Sequence, residues 1–361
     1  MRRQLSINES GFVFIIGVFV TTVLQNILAF ALQNIGSFGG MNIGTWIAYP
    51  IGSIGFFFSA FLFVKLKKCD FLYIARVNTR PRAVSFILIP FIAVFCVVAF
   101  YPLTTMFIRL LNVMGFHGSV TAPTNFTPEV FVLSMIIMAI IPAFGEEFFM
   151  RGTVYNGIAA RGGWFGVAMT GLLFMLMHGN PYQTLFQFCF GVVLVLVFII
   201  SDSIWPSIIL HFLNNFISIL VTAYIPQIDT INFGNMWPLY DILISIGGII
   251  VLIFLLYFFY RLSKSGKNGG NNGEYKIVTD DFTITAYAED KKKSNPIKDS
   301  FIFFGSLFTK RGWKNLNSKL FDLSKVEYVG PRPFMQEISF WLALIIVSVE
   351  WVIALILGII R

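Results

Sequence analysis

The amino-acid sequence predicts an all-α, polytopic transmembrane helix bundle, with about eight core helices, one additional C-terminal helix and a small cytoplasmic insert. The 361 residues are 57% hydrophobic and only 12% charged, which is far from the composition of soluble globular proteins. Apolar stretches of about 20 residues, the length that crosses ~30 Å of hydrocarbon, recur along almost the whole chain. They show no strand-like alternation, so helices rather than a barrel satisfy the backbone hydrogen bonds in lipid.

We expect nine apolar segments to cross or enter the membrane. Two of them, Trp164 to Met177 and Thr184 to Ile200, are shorter than a full span, and we expect the turn between them to lie below the membrane surface. In chain order the nine segments are Phe12 to Leu32, Thr45 to Val64, Ala83 to Thr104, Val130 to Ile158, Trp164 to Met177, Thr184 to Ile200, Trp205 to Ala223, Leu239 to Tyr260 and Ile338 to Ile360.

Basic residues in the loops predict a cytoplasmic amino terminus, because Lys and Arg near helix ends are retained on that side. Two Arg residues precede the first segment, and six Lys and Arg residues lie within 65–82. The intervening loops 33–44 and 111–128 contain no charged residue, which fits the outside. Arg161 and the basic stretch after Tyr260 then fall inside. We therefore expect a multi-pass protein of the plasma membrane, most simply a bacterial one.

Composition also argues against several classes of protein. The net charge of +8 is explained by cytoplasmic loops that face anionic lipid, so nucleic-acid binding is not implied. Cys69, Cys96 and Cys189 lack the spacing of a disulfide framework or of a Cys-based metal site. We found no internal repeat of the kind that builds many transporters. The first segment lacks a signal-peptide cleavage site, and we interpret it as a retained span.

A change of composition near residue 261 predicts the domain organisation. A flexible Gly, Asn, Ser and Lys tract is followed by a β-prone stretch at 274–288, compatible with a hairpin, and by an apolar and basic pattern at Phe301 to Leu323 that suits an interfacial helix. A partly disordered insert is the alternative. The predicted units are a membrane helical domain at 1–261, a cytoplasmic linker and insert at 262–336, and an additional transmembrane helix at 337–361.

Four ionisable side chains lie in or beside the apolar segments, where burying charge is expensive, so each is a candidate for a functional site. They are Glu146, Glu147, His178 and His211. The adjacent Glu146 and Glu147 point roughly 100° apart on a helix and cannot share one role. Glu147 and Arg151 are four residues apart in the favourable acid-before-base order, so they can pair and leave Glu146 for chemistry.

The sequence around Glu146 predicts a kinked helix that packs against the helix before His178. Pro142 removes a helical hydrogen bond and Gly145 adds a weak point, so a wet cavity can open beside the carboxylate. The helix-breaking pair Gly162-Gly163 lies almost midway between Glu146 and His178 in sequence. Two antiparallel helices that turn there bring these two side chains to the same depth.

Two further pairs of residues each share one face of a helix, because their members are four residues apart. These pairs are Phe174 with His178 and His211 with Asn215. Taken singly, each pair has an ordinary structural explanation. The succession Glu-Glu-x-x-x-Arg, Phe-x-x-x-His and His-x-x-x-Asn on consecutive helices resembles the CAAX protease and bacteriocin-processing (CPBP or Abi) family of intramembrane endopeptidases. The resemblance covers about residues 125–225. Its motif residues are Glu146, Glu147, Arg151, Phe174, His178, His211 and Asn215.

The resemblance implies an endopeptidase that hydrolyses a peptide bond in a membrane-associated peptide or protein tail. Glu146 would act as general base on a water molecule that His178 holds and polarises. His211 and Asn215 would donate hydrogen bonds to the oxyanion. Eukaryotic members that process prenylated proteins tend to carry Tyr where this chain has Met150, which weakens the case for a prenylated substrate.

We expect no cofactor in this mechanism. The alternative is a metalloprotease in which Glu146, His178 and His211 hold Zn²⁺, although the chain has no His-Glu-x-x-His motif. The expected partners are the lipid bilayer and a peptide or protein substrate. The alternative function is a non-proteolytic membrane scaffold or regulator that binds a partner protein through the insert and the last helix.

Three acidic residues outside the motifs also need an interpretation. Glu350 lies near the middle of the last segment, where it would contact a partner helix or a proton-accessible cavity, or serve as a structural hydrogen-bonding group. Asp202 and Asp241 lie at segment ends, and we expect both to be solvated.

Overall fold

Helices make up almost all of the computed structural model, which describes residues 4–118, 122–225, 238–264, 275–279, 282–286, 295–321 and 336–360. The predicted all-α class is confirmed. In chain order the elements are α1 (Ile7–Ala31), β1 (Ser37–Phe38), β2 (Met41–Asn42), α2 (Ile43–Leu66), α3 (Phe71–Ile74), α4 (Ile89–Val113), α5 (Pro128–Ser134), α6 (Ile141–Phe149), α7 (Tyr155–Ile158), α8 (Gly163–Leu176), α9 (Thr184–Ser201), α10 (Ile204–Tyr224), α11 (Pro238–Lys264), β3 (Tyr275–Thr279), β4 (Phe282–Ala286), α12 (Pro296–Ser306), α13 (Lys310–Leu320) and α14 (Ile338–Ile360).

Eight helices in the described part of the chain are long and apolar enough to cross a membrane, so the protein is a multi-pass membrane protein. The segment Trp164 to Met177 forms the shorter α8, whose 14 residues rise only ~21 Å. The expectation that Thr184 to Ile200 is also too short was wrong. A 3₁₀ turn continues this helix to Pro181–Ser201, 21 residues in all, which is enough to span.

Polar contacts join helix ends that the loop charges place on the same side of the membrane. Lys67 Nζ lies 3.3 Å from a carboxylate oxygen of Glu9, and Arg76 pairs with Asp202 at 3.2 Å. Asp202 is thus ion-paired, whereas we expected simple solvation. Asp241 departs further from that expectation, because it is buried at 1% exposure and lies 3.3 Å from Nη1 of Arg109.

Aromatic packing fixes the position of α6 at the centre of the bundle. The buried ring of Phe149 stacks on Phe14 of α1 at 5.9 Å and on Phe56 of α2 at 4.7 Å between centroids. A Cβ at Gly17 would lie 2.6 Å from the Phe149 ring, so the close approach of α1 requires glycine there. The three helices therefore pack around one large side chain at the end of α6.

The C-terminal part of the chain holds the turn between α7 and α8. Arg161 Nη1 lies 2.5 Å from a carboxylate oxygen of Glu337, which is only 2% exposed. The Arg161 guanidinium also covers the Trp341 ring at 5.4 Å. On the other side of the turn, Trp164 contacts Trp313 of α13 edge-on at 5.4 Å. We call this set of contacts the turn clasp.

The described part of the insert contains a hairpin and two helices. Strands β3 and β4 are antiparallel, with Ile277 opposite Ile284, and lie within the β-prone stretch 274–288. Instead of one helix over Phe301 to Leu323, the chain forms α12 and α13, separated at Thr309, whose side chain caps α13. The linker residues 265–274 and the end of the expected helix at 322–323 lie outside the described residues.

Candidate active site

The candidate site is carried by one long helix, Pro128–Arg161, which is interrupted by two π-helical segments. Two π-helical segments, Met135–Ile140 and Met150–Val154, flank the α-helical segment α6. The first ends just before Pro142, the residue at which the sequence predicts a distortion. Such π-helical turns are frequent at functional sites because they change the direction in which the following side chains point.

Glu147 and Arg151 form a fully buried ion pair, as their spacing predicts. Arg151 Nη1 lies 2.6 Å from Glu147 Oε1, and both side chains are 0% exposed. Arg151 Nη2 donates to the carbonyl of Gly191 on α9 at 3.1 Å, and its guanidinium lies over the Phe174 ring at 4.5 Å. The pair therefore ties the long helix to α8 and α9.

Glu147 also orients His211, a contact that the sequence does not reveal. Nδ1 of His211 donates to Glu147 Oε1 at 2.9 Å, so one carboxylate oxygen serves both Arg151 and the imidazole. This bond fixes the ring orientation and turns Nε2 toward Glu146, whose Oε2 lies 4.0 Å away. A histidine held by a carboxylate through one nitrogen presents the other nitrogen for chemistry.

His178 and His211 lie on either side of Phe174. The Phe174 ring centroid is 4.9 Å from that of His178 and 5.7 Å from that of His211, and both contacts are edge-on. His178 Nδ1 donates to the Phe174 carbonyl at 2.6 Å, which leaves Nε2 as the available nitrogen. The turn after His178 is made by Gly179 in the left-handed region, at φ +58°, a conformation that favours glycine.

Glu146 has fewer hydrogen-bond partners among the described residues than Glu147 or Arg151. Its Oε1 accepts a hydrogen bond from Ser53 Oγ of α2 at 3.3 Å. Its Oε2 is buried and has no hydrogen-bond partner among the described residues, and the side chain as a whole is 13% exposed. This oxygen faces the His211 imidazole at 4.0 Å without a direct bond, so it can accept a hydrogen bond from a water molecule.

Ser53 is a site residue that sequence reasoning missed. It reaches Glu146 because α2 crosses α6 at Gly145, where a Cβ would overlap the Ser53 carbonyl oxygen. The glycine beside the catalytic candidate therefore permits a close helix crossing, in addition to weakening the helix. No feature within α2 distinguishes Ser53 from other small residues in apolar helices, so the sequence offered no signal for it.

Asn215 lies in the site region but contacts the backbone of the long helix. In an α-helix the carbonyl of Met138 would accept from the N–H of residue 142, and Pro142 has none. Asn215 Nδ2 donates to this carbonyl at 3.2 Å. The structure thus brings six of the seven motif residues into direct mutual contacts and places Asn215 on the distorted turn next to them.

This geometry predicts an energetic coupling between Asn215 and Pro142. Asn215→Ala should lower stability by about 1–2 kcal/mol, because it removes the side-chain donor to the part-buried Met138 carbonyl. In a Pro142→Ala background the backbone N–H of residue 142 can donate to the Met138 carbonyl. Asn215→Ala should then lower stability by less than it does in the wild type. Thermal unfolding of the two single variants and the double variant in detergent measures this coupling. Strictly additive losses would contradict the assigned hydrogen bond.

Glu146, His178 and His211 are the residues that would hold a metal ion in the alternative mechanism. Both histidines present Nε2 while Nδ1 is held by an oxygen acceptor, which is the usual arrangement of metal-binding histidines. Among the described residues, however, no group of three or more His, Cys, Asp and Glu side chains has a spacing that could hold a metal ion.

Comparison with known proteins gives one match. Residues 128–217, from α5 into α10, match the family model described as "Rce1-like: Type II CAAX prenyl endopeptidase Rce1-like". No curated protein and no solved structure matches the chain. The matched segment contains every motif residue discussed above. The resemblance predicted from the motifs is therefore confirmed for residues 128–217, which are similar to the CAAX protease and bacteriocin-processing family of intramembrane endopeptidases.

Proposed function

We propose that the protein hydrolyses a peptide bond in a membrane-associated peptide or protein tail, with Glu146 as the general base. The observation that carries this proposal is the buried, unpartnered Glu146 Oε2, 4.0 Å from Nε2 of His211. A largely buried carboxylate that faces one imidazole, with a second imidazole joined to the first through Phe174, is a set of groups that can take and return a proton. Its position within the membrane-spanning helices suits a substrate that is itself held by lipid.

In this mechanism a water molecule binds between Glu146 Oε2 and His178 Nε2. Because His178 carries its proton on Nδ1, its neutral Nε2 accepts a hydrogen bond from the water and orients the oxygen toward the substrate carbonyl. Glu146 removes a proton as the water oxygen bonds to the carbonyl carbon. The protonated Glu146 then gives that proton to the amine nitrogen as the C–N bond breaks.

His211 supports the negative charge that develops on the carbonyl oxygen. Since its Nδ1–H is committed to Glu147, it must also carry a proton on Nε2 in order to donate. Asn215 has a second amide hydrogen besides the one donated to Met138, and it can serve as a further oxyanion donor.

An apolar surface groove on the helices that carry the site suits the lipid-embedded part of a substrate. It measures about 330 Å³ and lies between α6 and α10, the helices that carry Glu146 and His211. Hydrophobic and aromatic walls of this size accommodate an apolar side chain or an acyl-type chain. The lining residues are Ile140, Phe144, Trp205, Ile208, Ile209 and Phe212. A prenylated tail is a candidate substrate where the organism prenylates proteins.

Peptides that accumulate when the protein is removed would test the proposed function. Membranes of deletion cells should contain uncleaved peptides or tails that disappear on complementation with the wild-type chain. Complementation with His178→Ala should fail to remove them, because the water then loses its acceptor. Mass spectrometry of membrane peptide termini is the measurement, with the solvent-side variant Glu129→Gln as matched control. Full processing by His178→Ala, with loss of activity on deletion of the insert, would favour the scaffold function instead.

Metal dependence is tested separately. We propose that hydrolysis requires no metal, so the purified protein should keep full cleavage activity after prolonged treatment with a chelator and dialysis. Elemental analysis of the same sample should show less than stoichiometric zinc. Loss of activity that added Zn²⁺ restores would instead support the alternative ligand set Glu146, His178 and His211.

We also propose that the protein resides in the plasma membrane with its amino terminus in the cytoplasm. The support is the clustering of Lys and Arg at one set of helix ends, together with the contacts that join these ends, such as Lys67 with Glu9. In this orientation the turn clasp lies on the cytoplasmic side. The long helix then runs inward, from Pro128 outside to Arg161 inside.

A further inference from the structure

Glu350 is a carboxyl group on the outer surface of the bundle, near the middle of a membrane-spanning helix. It is the thirteenth of the 23 residues of α14, and its side chain is exposed. No hydrogen bond or ion pair joins it to any residue that the structure describes. A carboxyl group at this depth is expensive even when it is neutral, so it marks an interaction that the single chain does not complete.

The rotation of α14 is fixed by its contacts with the rest of the bundle. Phe340 and Ala343 are fully buried, and a Cβ at Gly11 of α1 would overlap the Phe340 backbone. Trp351 Nε1 donates to Thr184 Oγ1 of α9 at 2.9 Å. Because Trp351 is anchored to the bundle, the neighbouring Glu350 must point away from this contact and cannot turn inward.

The exposed residues around Glu350 repeat with the spacing of a coiled-coil seam. Starting from Ile346, the steps along this face are four, three, four and three residues, and every position is exposed. Alternating steps of this kind let two helices pack along their length, and a single polar residue in the seam fixes their register. We call this face the α14 seam, and it consists of Ile346, Glu350, Ile353, Leu357 and Ile360.

We propose that the α14 seam binds the α14 seam of a second copy of this chain, with the two Glu350 carboxyl groups hydrogen-bonded to each other. Two copies inserted with the same topology can pair side by side only around an axis normal to the membrane, so each residue faces its own counterpart at the same depth. A protonated carboxyl both donates and accepts a hydrogen bond, so it is complementary to itself. The rest of the seam is apolar and requires no polar group from a different partner.

Cysteine cross-linking in native membranes tests this dimer. Ile353→Cys lies in the seam, while the equally exposed Val352→Cys points ~100° away on the same helix and is the matched control. After mild oxidation the full-length Ile353→Cys protein should give several-fold more disulfide-linked dimer than Val352→Cys. The background for both variants replaces the native cysteines Cys69, Cys96 and Cys189 with Ala.

The carboxyl pair is tested by adding a second substitution to Ile353→Cys. Glu350→Leu should lower the cross-linked fraction, corresponding to about tenfold weaker dimerisation, whereas Glu350→Gln should retain it because a carboxamide also donates and accepts. The thermal unfolding midpoint of each variant in detergent shows that the monomer is intact. Equal cross-linking at positions 352 and 353, absence of a dimer, linkage to a different polypeptide alone, or no effect of Glu350→Leu would each overturn the proposal.

Discussion

Glu146→Gln is expected to abolish cleavage, with turnover lowered by about 10²–10⁴-fold. The carboxamide has nearly the same shape and can still accept the hydrogen bond from Ser53 Oγ. It cannot take a proton from water, however, so the proposed general base is lost. The rate of appearance of the cleaved terminus, measured on a peptide identified from deletion membranes, gives the change directly.

The matched control for this substitution is Glu129→Gln, near the start of the same long helix. Glu129 is exposed, so the same chemical change there should leave turnover unaltered. The unfolding temperature of Glu146→Gln should stay close to that of the wild type, because Glu146 makes a single hydrogen bond to a described side chain. Turnover within a few-fold of wild type in Glu146→Gln would exclude Glu146 as the base.

Arg151→Met is expected to destabilise the protein by about 3–5 kcal/mol. The substitution leaves the Glu147 carboxylate, which is 0% exposed, without its cation and also removes the bond to the Gly191 carbonyl. Thermal unfolding in detergent measures the loss. Arg80→Met, at an exposed position, should have little effect and serves as the control.

The double variant Glu147→Gln with Arg151→Met separates the charge from the packing. It should recover much of the lost stability, because no unpaired buried charge remains. Catalysis should still be poor, since the carboxylate that holds His211 Nδ1 is gone. If Arg151→Met unfolds at the same temperature as Arg80→Met, the ion pair does not support the fold.

The local features of the site were predictable because they depend on short spacings. Glu147 and Arg151 pair as an i, i+4 spacing dictates, and the helix changes its hydrogen bonding next to Pro142. The length of the apolar segments was enough to predict the spans except the one at Pro181–Ser201, which we expected to be too short. These properties depend on the period of the helix and on the missing N–H of proline, both of which can be read from the chain directly.

Contacts between distant segments could not be predicted in the same way. Ser53 meets Glu146 across 93 positions, and this meeting depends on how closely two helices cross. The expectation that Asp241 is solvated was wrong because its partner Arg109 lies 132 positions away. Pro142 was recognised as a helix breaker, but the partner of the carbonyl that it leaves free, Asn215, became apparent only from the packing of α10.

The turn clasp has a consequence for the order of events during synthesis. Arg161 lies at the end of the long helix that carries Glu146, but its carboxylate partner Glu337 is 176 positions further on. Domains fold progressively as the chain emerges, with earlier parts first. The turn between α7 and α8 therefore gains its contacts with Glu337 and Trp341 only near the end of translation, when the last helix enters the membrane. A nascent chain interrupted before Glu337 would carry every motif residue of the site and still lack the contacts of Arg161 with Glu337 and Trp341.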